Sequence, residues 1–145
     1  MSASTRDLDD YARHYANAPF EVIQARYRRR VVLEHVRRHR PGRLLEVGCG
    51  VAPLFVDLPN IDCVVVEPAS DFHAVAARMG EGRPDVEVHC LPMEQYTPSQ
   101  PFDFVVVSGL LHEVPDPKAV LQAVKRCCSA ATWVHVNVPS ALSLH

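Results

Sequence analysis

What the chain lacks narrows its class first. None of its 145 residues fall in an apolar run of about 18, the length a helix needs to cross a bilayer. The opening MSASTRDLDD is polar and acidic and lacks the apolar centre of a secretory signal, so neither a membrane span nor export is expected and a cytoplasmic location is. No segment repeats and none is of low complexity. Five cysteines (Cys49, Cys63, Cys90, Cys127, Cys128) form no C-x-x-C pair, which suits buried thiols in a reducing compartment. Neither they nor the eight histidines carry metal-ligand spacing, so no metal is expected. A net charge of -2 gives no general excess of cations for nucleic acid. There are only six glycines, and two of them sit one residue apart after a short apolar run.

What is present describes one globular domain. The chain is 48% hydrophobic and 22% charged, enough apolar matter for a core and too little charge for disorder. The first 42 residues read as a helical segment packing on the rest of the chain. Asp7 to Tyr15 suits a short helix, Asn17-Ala18-Pro19 a cap and proline start, and Glu21 to His39 a longer helix with Val22, Ile23, Tyr27, Val31, Val32 and Val36 near helical spacing. Pro41-Gly42 ends it. From residue 43 to 145 the pattern changes to short apolar runs at 43–47, 61–66, 86–90, 102–107 and 132–138. Helix-like segments at 69–79 and 117–128 separate some of them, the second opening on Asp116-Pro117. Strands alternating with helices predict a parallel sheet wrapped on both faces. The segment VAPLFVDLPN is short and broken by prolines, so the first crossover helix should be little more than a turn.

The two glycines lie in LLEVGCGVAP, at the carboxyl end of the first strand. In an open parallel sheet that end borders the ligand crevice. A pyrophosphate loop has the form G-x-G-x-x-G and runs into a helix N-terminus. Here the third glycine is Pro53, and the loop is preceded by Glu46. An acid repels pyrophosphate and attracts an ammonium group, so the loop favours a zwitterionic or cationic small molecule over a dinucleotide. VVVEP then ends the second strand in Glu67, 21 positions after Glu46, where an acid can accept hydrogen bonds from ribose hydroxyls. Adenosine at one end and an amino-acid group at the other describe S-adenosylmethionine.

With LLEVGCG, VVVEP and FDFVVVSGLLHEVPDP in this order, the chain resembles the class I S-adenosylmethionine-dependent methyltransferases over nearly its whole length. Its flanks, YARHYANAPFEVIQARYRRRVVLEHV and VHVNVPSALSLH, are similar to a bacterial subgroup often found with surface-polysaccharide genes, in which GCG-x-x-P-L-F replaces the third glycine. The resemblance implies an α/β, Rossmann-like doubly wound parallel sheet in the order 3-2-1-4-5 with N-terminal helices. It also implies a chain lacking the last two family strands, since relatives run on past the fifth. Strand five would then be an edge, to be covered by a second copy in a homodimer or by a C-terminal partner. Its alternation sets Val134, Val136 and Val138 on one face, the face suited to burial, and Trp133, His135 and Asn137 on the other, awaiting cover from outside the chain.

Position by position, the resemblance puts Glu46, Gly48, Cys49 and Gly50 at the methionine end of the cofactor, Glu67 on the ribose diol and Pro68 near the adenine. Met93 and Glu94 fall near the adenine, though Met93 suits a core equally well. Ser108 and Gly109 pass beneath the sulfonium, and Tyr11, with Tyr15, closes over the cofactor. His112 is the candidate general base, its ordinary pKa near 6.5 suiting a hydroxyl proton at neutral pH; the competing role is to hold the loop. Glu113 reads as structural. Eight arginines between Arg26 and Arg43 face a single acid, Glu34: a solvated helix face, or an electropositive approach for a phosphorylated acceptor. The expected activity is methyl transfer to a small-molecule acceptor, a sugar or related metabolite hydroxyl or amine. The alternative is a non-catalytic or incomplete cofactor-binding module. A nicotinamide-dependent oxidoreductase is disfavoured by Glu46 and the missing glycine.

Overall fold

A computed structural model describes residues 19–140; the expected helix at 7–15, with Tyr11 and Tyr15, lies outside the described residues. The described residues open on α1 (Pro19–His39). Its last turn carries Arg37 and Arg38, cations that complement the negative end of the helix dipole. His39 Nδ1–H donates to the His35 carbonyl at 2.8 Å, and Arg40 turns into the left-handed region (φ 48°) with its N–H on the Val36 carbonyl. The face it buries is Val32, Leu33 and Val36. Val22, Ile23 and Tyr27, expected on the apolar face, are exposed at 39, 66 and 60%, because only the second half of the helix lies on the sheet cluster.

The sheet follows as β1 (Arg43–Val47), β2 (Asp62–Val66), β3 (Val86–His89), β4 (Phe102–Ser108) and β5 (Cys128–Asn137). All neighbours are parallel, in the order β3-β2-β1-β4-β5, as expected. β1 to β2 runs through a 3-10 turn, Leu54–Asp57, in place of a helix. α2 (Ser70–Met79) joins β2 to β3, and α3 (Pro117–Arg126) joins β4 to β5. Asp116 caps α3 by accepting the Ala119 N–H at 3.0 Å. Period-two alternation sends Leu44, Cys63, Val65, Phe104 and Val106 to the α1 face and Leu45, Val47, Val64, Val66, Val105 and Val107 to the α3 face.

β5 departs from its expected form. It starts at Cys128, where helix was expected, because α3 stops at Arg126. Phe102 pairs with Cys128 and Phe104 with Trp133, so the residues between bulge out. Thr132 Oγ1 covers the break by donating to the Phe102 carbonyl at 2.6 Å. Its two faces are also the reverse of expectation. Trp133 and His135 lie toward α1, with the Trp133 and His39 rings 4.3 Å apart and the His135 and His35 rings 5.2 Å apart. Val134, Val136 and Val138 remain exposed at 42–55%. Of the cysteines, Cys49, Cys63 and Cys127 are buried, whereas Cys90 is exposed just past β3. No helix among the described residues is long and apolar enough to cross a membrane.

Candidate functional site

The carboxyl ends of β1, β2 and β4 converge on one crevice. β1 leaves the sheet through Gly48, whose N–H donates to the Val66 carbonyl at 2.9 Å. Gly48 and Gly50 hold φ of 74° and 55°, a region that costs other residues about 1–2 kcal/mol. A Cβ on Gly48 would also come within 3.2 Å of the Leu110 side chain, while one on Gly50 would meet nothing within 4 Å. The loop therefore turns back tightly over β4 at its first glycine and faces open space at its second.

Two acids lie under this loop, and they are the only buried polar or charged residues among those described. Glu67 Oε2 accepts the Cys49 and Gly50 N–H groups at 2.9 and 3.2 Å, and Oε1 accepts the Ala69 N–H at 2.9 Å. Three of the carboxylate's four acceptor positions are thus taken by backbone. One acceptor position on the carboxylate is left for a ligand. Burial pushes the Glu67 carboxyl up, against those three bonds. Glu46 Oε2 accepts the Leu54 N–H at 2.8 Å, and burial pushes its carboxyl up to about 8, opposed by the Leu54 bond and by Arg29 and reinforced by Glu67. It is a covered, proton-retaining group beneath the loop. Cys49 is buried, and its thiol is pushed strongly upward by burial and then by Glu46 and Glu67, which makes it a poor nucleophile.

The pKa of Glu46 gives a stability prediction. A carboxyl raised from 4.5 to about 8 stabilises the fold fully below pH 4.5, progressively less as pH rises, and not at all above about 8. The loss approaches 1.4 kcal/mol per pH unit inside that window. Glu46→Gln should flatten the slope of unfolding free energy against pH between 5 and 8, measured by urea titration. Parallel slopes for variant and parent would show that Glu46 is ionised in the folded protein.

Other expected residues fall less uniformly. Pro68 is half-buried beside Glu67. Met93 is buried, 4% exposed, in the core cluster that holds Leu45, Val66, Tyr96 and Val105. Glu94 is exposed, and its carbonyl accepts from Arg126 at 3.0 Å. Ser108 and Gly109 are tied to the end of β5: Asn137 Nδ2 donates to Ser108 Oγ at 2.8 Å, and Asn137 Oδ1 accepts the Gly109 N–H at 2.8 Å. His112 stands at the mouth of β4, its Nε2 3.0 Å from Glu113 Oε1. Glu113, expected to be structural, is in position to orient that ring.

Three contributors escaped the sequence reading. Asn137 is one. The others are Arg28 and Arg29, half-buried on the inner side of α1. Arg28 Nε lies 3.2 Å from where a Gly109 Cβ would sit. Arg29 binds the Ala52 and Pro53 carbonyls and forks onto Asp57. Helical phase could have found this pair, since positions 28 and 29 share a face with 32, 33 and 36.

Known structures share this fold. A complex of DhpI with S-adenosylhomocysteine (SAH) aligns with a TM-score of 0.68 at 21% identity, covering 90% of this chain and 66% of that one. The N-methyltransferase NodS from Bradyrhizobium japonicum WM9, also in complex with SAH, gives 0.65 at 16% identity, covering 83% and 66%. Coclaurine N-methyltransferase bound to N-methylheliamine and SAH gives 0.62 at 15% identity, covering 73% and 34%. At these identities the likeness is one of fold, and the chain spans between about a third and two-thirds of their lengths. The sequence itself matches the family described as "Methyltransferase domain" over residues 11–145, nearly its full extent, so the chain belongs to the methyltransferase domain family.

Proposed function

We propose that the crevice binds S-adenosylmethionine and that the protein transfers its methyl group to a small-molecule acceptor, a hydroxyl or amine of a sugar or related metabolite. The observation that carries this is the two-acid floor under a glycine loop that has no helix N-terminus behind it. Such a floor suits a ligand ending in an ammonium group and not a pyrophosphate. The donor chemistry fits: Glu46 can ionise against an ammonium, Glu67 keeps one acceptor position for a ribose hydroxyl, and Gly50 leaves the space beside it open. DhpI and NodS, which share the fold, are complexes with SAH.

When bound, S-adenosylmethionine supplies a methyl group already activated on sulfonium. The residues then have to align the acceptor and take its proton. With the His112 Nε2 proton held by Glu113, Nδ1 carries the lone pair that receives the acceptor's proton. Asn137 holds Ser108 and Gly109 and so sets the path of the chain to His112. A second reading, a cofactor-binding module that needs a second copy or a partner on β5 before it turns over, is favoured by the exposed Val134, Val136 and Val138.

Calorimetry decides the first step. SAH and S-adenosylmethionine should both bind, with release of a proton as Glu46 ionises, seen as heats that depend on buffer. Binding of NAD and of neither S-adenosyl compound would remove the proposal. Binding without turnover across a panel of hydroxyl and amine acceptors would favour the module.

A further inference from the structure

Arg29 belongs to α1, outside the strand-turn elements that make the crevice, yet it reaches into the loop. Its guanidinium binds the Ala52 and Pro53 carbonyls, the second at 3.1 Å, and pairs with Asp57 through Nε at 3.1 Å and Nη2 at 2.8 Å. The side chain is 21% exposed. The contacts span the arm that leaves Gly50 and the 3-10 turn after it. In this chain no full helix succeeds the glycine loop to anchor that arm. α1 itself is held on the sheet by Val32, Leu33 and Val36, so Arg29 is not needed to dock the helix.

We infer that Arg29 is a positioning residue of the glycine loop, fixing the arm from Val51 to Pro53 and placing a cation beside Glu46, and that it thereby sets the affinity of the crevice for S-adenosyl ligands. The inference rests on the function proposed above. Two effects make it up. The fork is geometric, because planar guanidinium serves two carbonyls and a carboxylate at once and an ammonium cannot. The charge is electrostatic, because Arg29 favours the ionised form of Glu46. The groups acting on Glu46 are the Leu54 N–H, Arg29 from α1 and Glu67 from the end of β2, and Glu46 in turn pushes up the thiols of Cys49 in the loop and Cys63 in β2. Asp57 is paired to Arg29 from the 3-10 turn. Arg29 is the one cation among them. Without it Glu46 keeps its proton to higher pH, and an ammonium ligand must displace that proton.

The test uses the full chain and SAH as probe, by calorimetry at pH 6.5, 7.5 and 8.5, with hydrogen exchange of the amides from Val51 to Leu54. Arg29→Met should weaken SAH by about tenfold or more at pH 7.5, recover part of the loss as pH rises, and speed exchange in the arm. Arg29→Lys should restore the parental pH profile but not the affinity, since it returns the charge without the fork. Circular dichroism of the lysine variant guards against a methionine variant that fails to fold. Affinities within twofold of the parent at all three pH values, or identical pH profiles for Lys and Met, would overturn the inference. Should the parent not bind SAH, the proposed function falls. Unchanged exchange in the arm of Arg29→Lys and Arg29→Met would independently show that Arg29 does not hold it.

Discussion

Glu67→Ala should lower the stability of this protein by roughly 3–5 kcal/mol. The carboxylate receives the N–H groups of Cys49, Gly50 and Ala69. Cys49 and Ala69 are buried, so alanine strands two donors away from water, each at about 1–3 kcal/mol; Gly50 is more open, and water relieves it. The cost arises in the fold before any ligand is considered, so the melting temperature should drop by about 10 °C or more. Glu67→Gln should lose less, because one oxygen still accepts while the amide faces an N–H. A Glu67→Ala variant within about 1 kcal/mol of the parent in calorimetry would mean that the loop finds other acceptors.

The second large effect concerns turnover. His112→Ala is expected to reduce methyl transfer by about 100-fold or more, the usual contribution of a positioned general base, while SAH affinity is unchanged. Glu113→Gln should lose less, since it keeps the contact at His112 Nε2 but removes the charge that steadies an imidazolium. The assay is SAH release with an acceptor drawn from the hydroxyl and amine panel. Normal turnover by His112→Ala would take the histidine out of the reaction, and a loss of SAH affinity in its place would make it a cofactor-positioning residue.

How much of this was legible in the sequence depends on whether neighbours in sequence or neighbours in space decide it. β1 reads to the residue, because Pro41-Gly42 and Gly48 bracket an apolar run. The stunted first crossover reads as well, through its prolines. Glu46, Gly48, Gly50 and Glu67 share one site because each ends a strand on the same edge of a parallel sheet. What Glu67 binds was not legible, since two of its three partners are the backbone of another strand's loop. β5 misled for the same reason: alternating valines look like a buried face, but the helix that covers the opposite face arrives from nearly a hundred residues earlier. Arg29 was hidden among arginines, where count says solvent and helical phase says inward.

The aromatic contact between α1 and β5 has an experimental consequence. Trp133 is the chain's single indole, it is 60% exposed, and it rests on His39. Its emission therefore reports on that seam and not on the core, and the change on unfolding will be small because the ring is already largely in water. A melting curve followed by intrinsic fluorescence would register α1 lifting from β5, whereas the effects expected at Glu46 and Glu67 need far-ultraviolet dichroism or heat capacity. Run side by side, the two signals distinguish local fraying of the helix from loss of the sheet, and the wild-type side chain serves as the label.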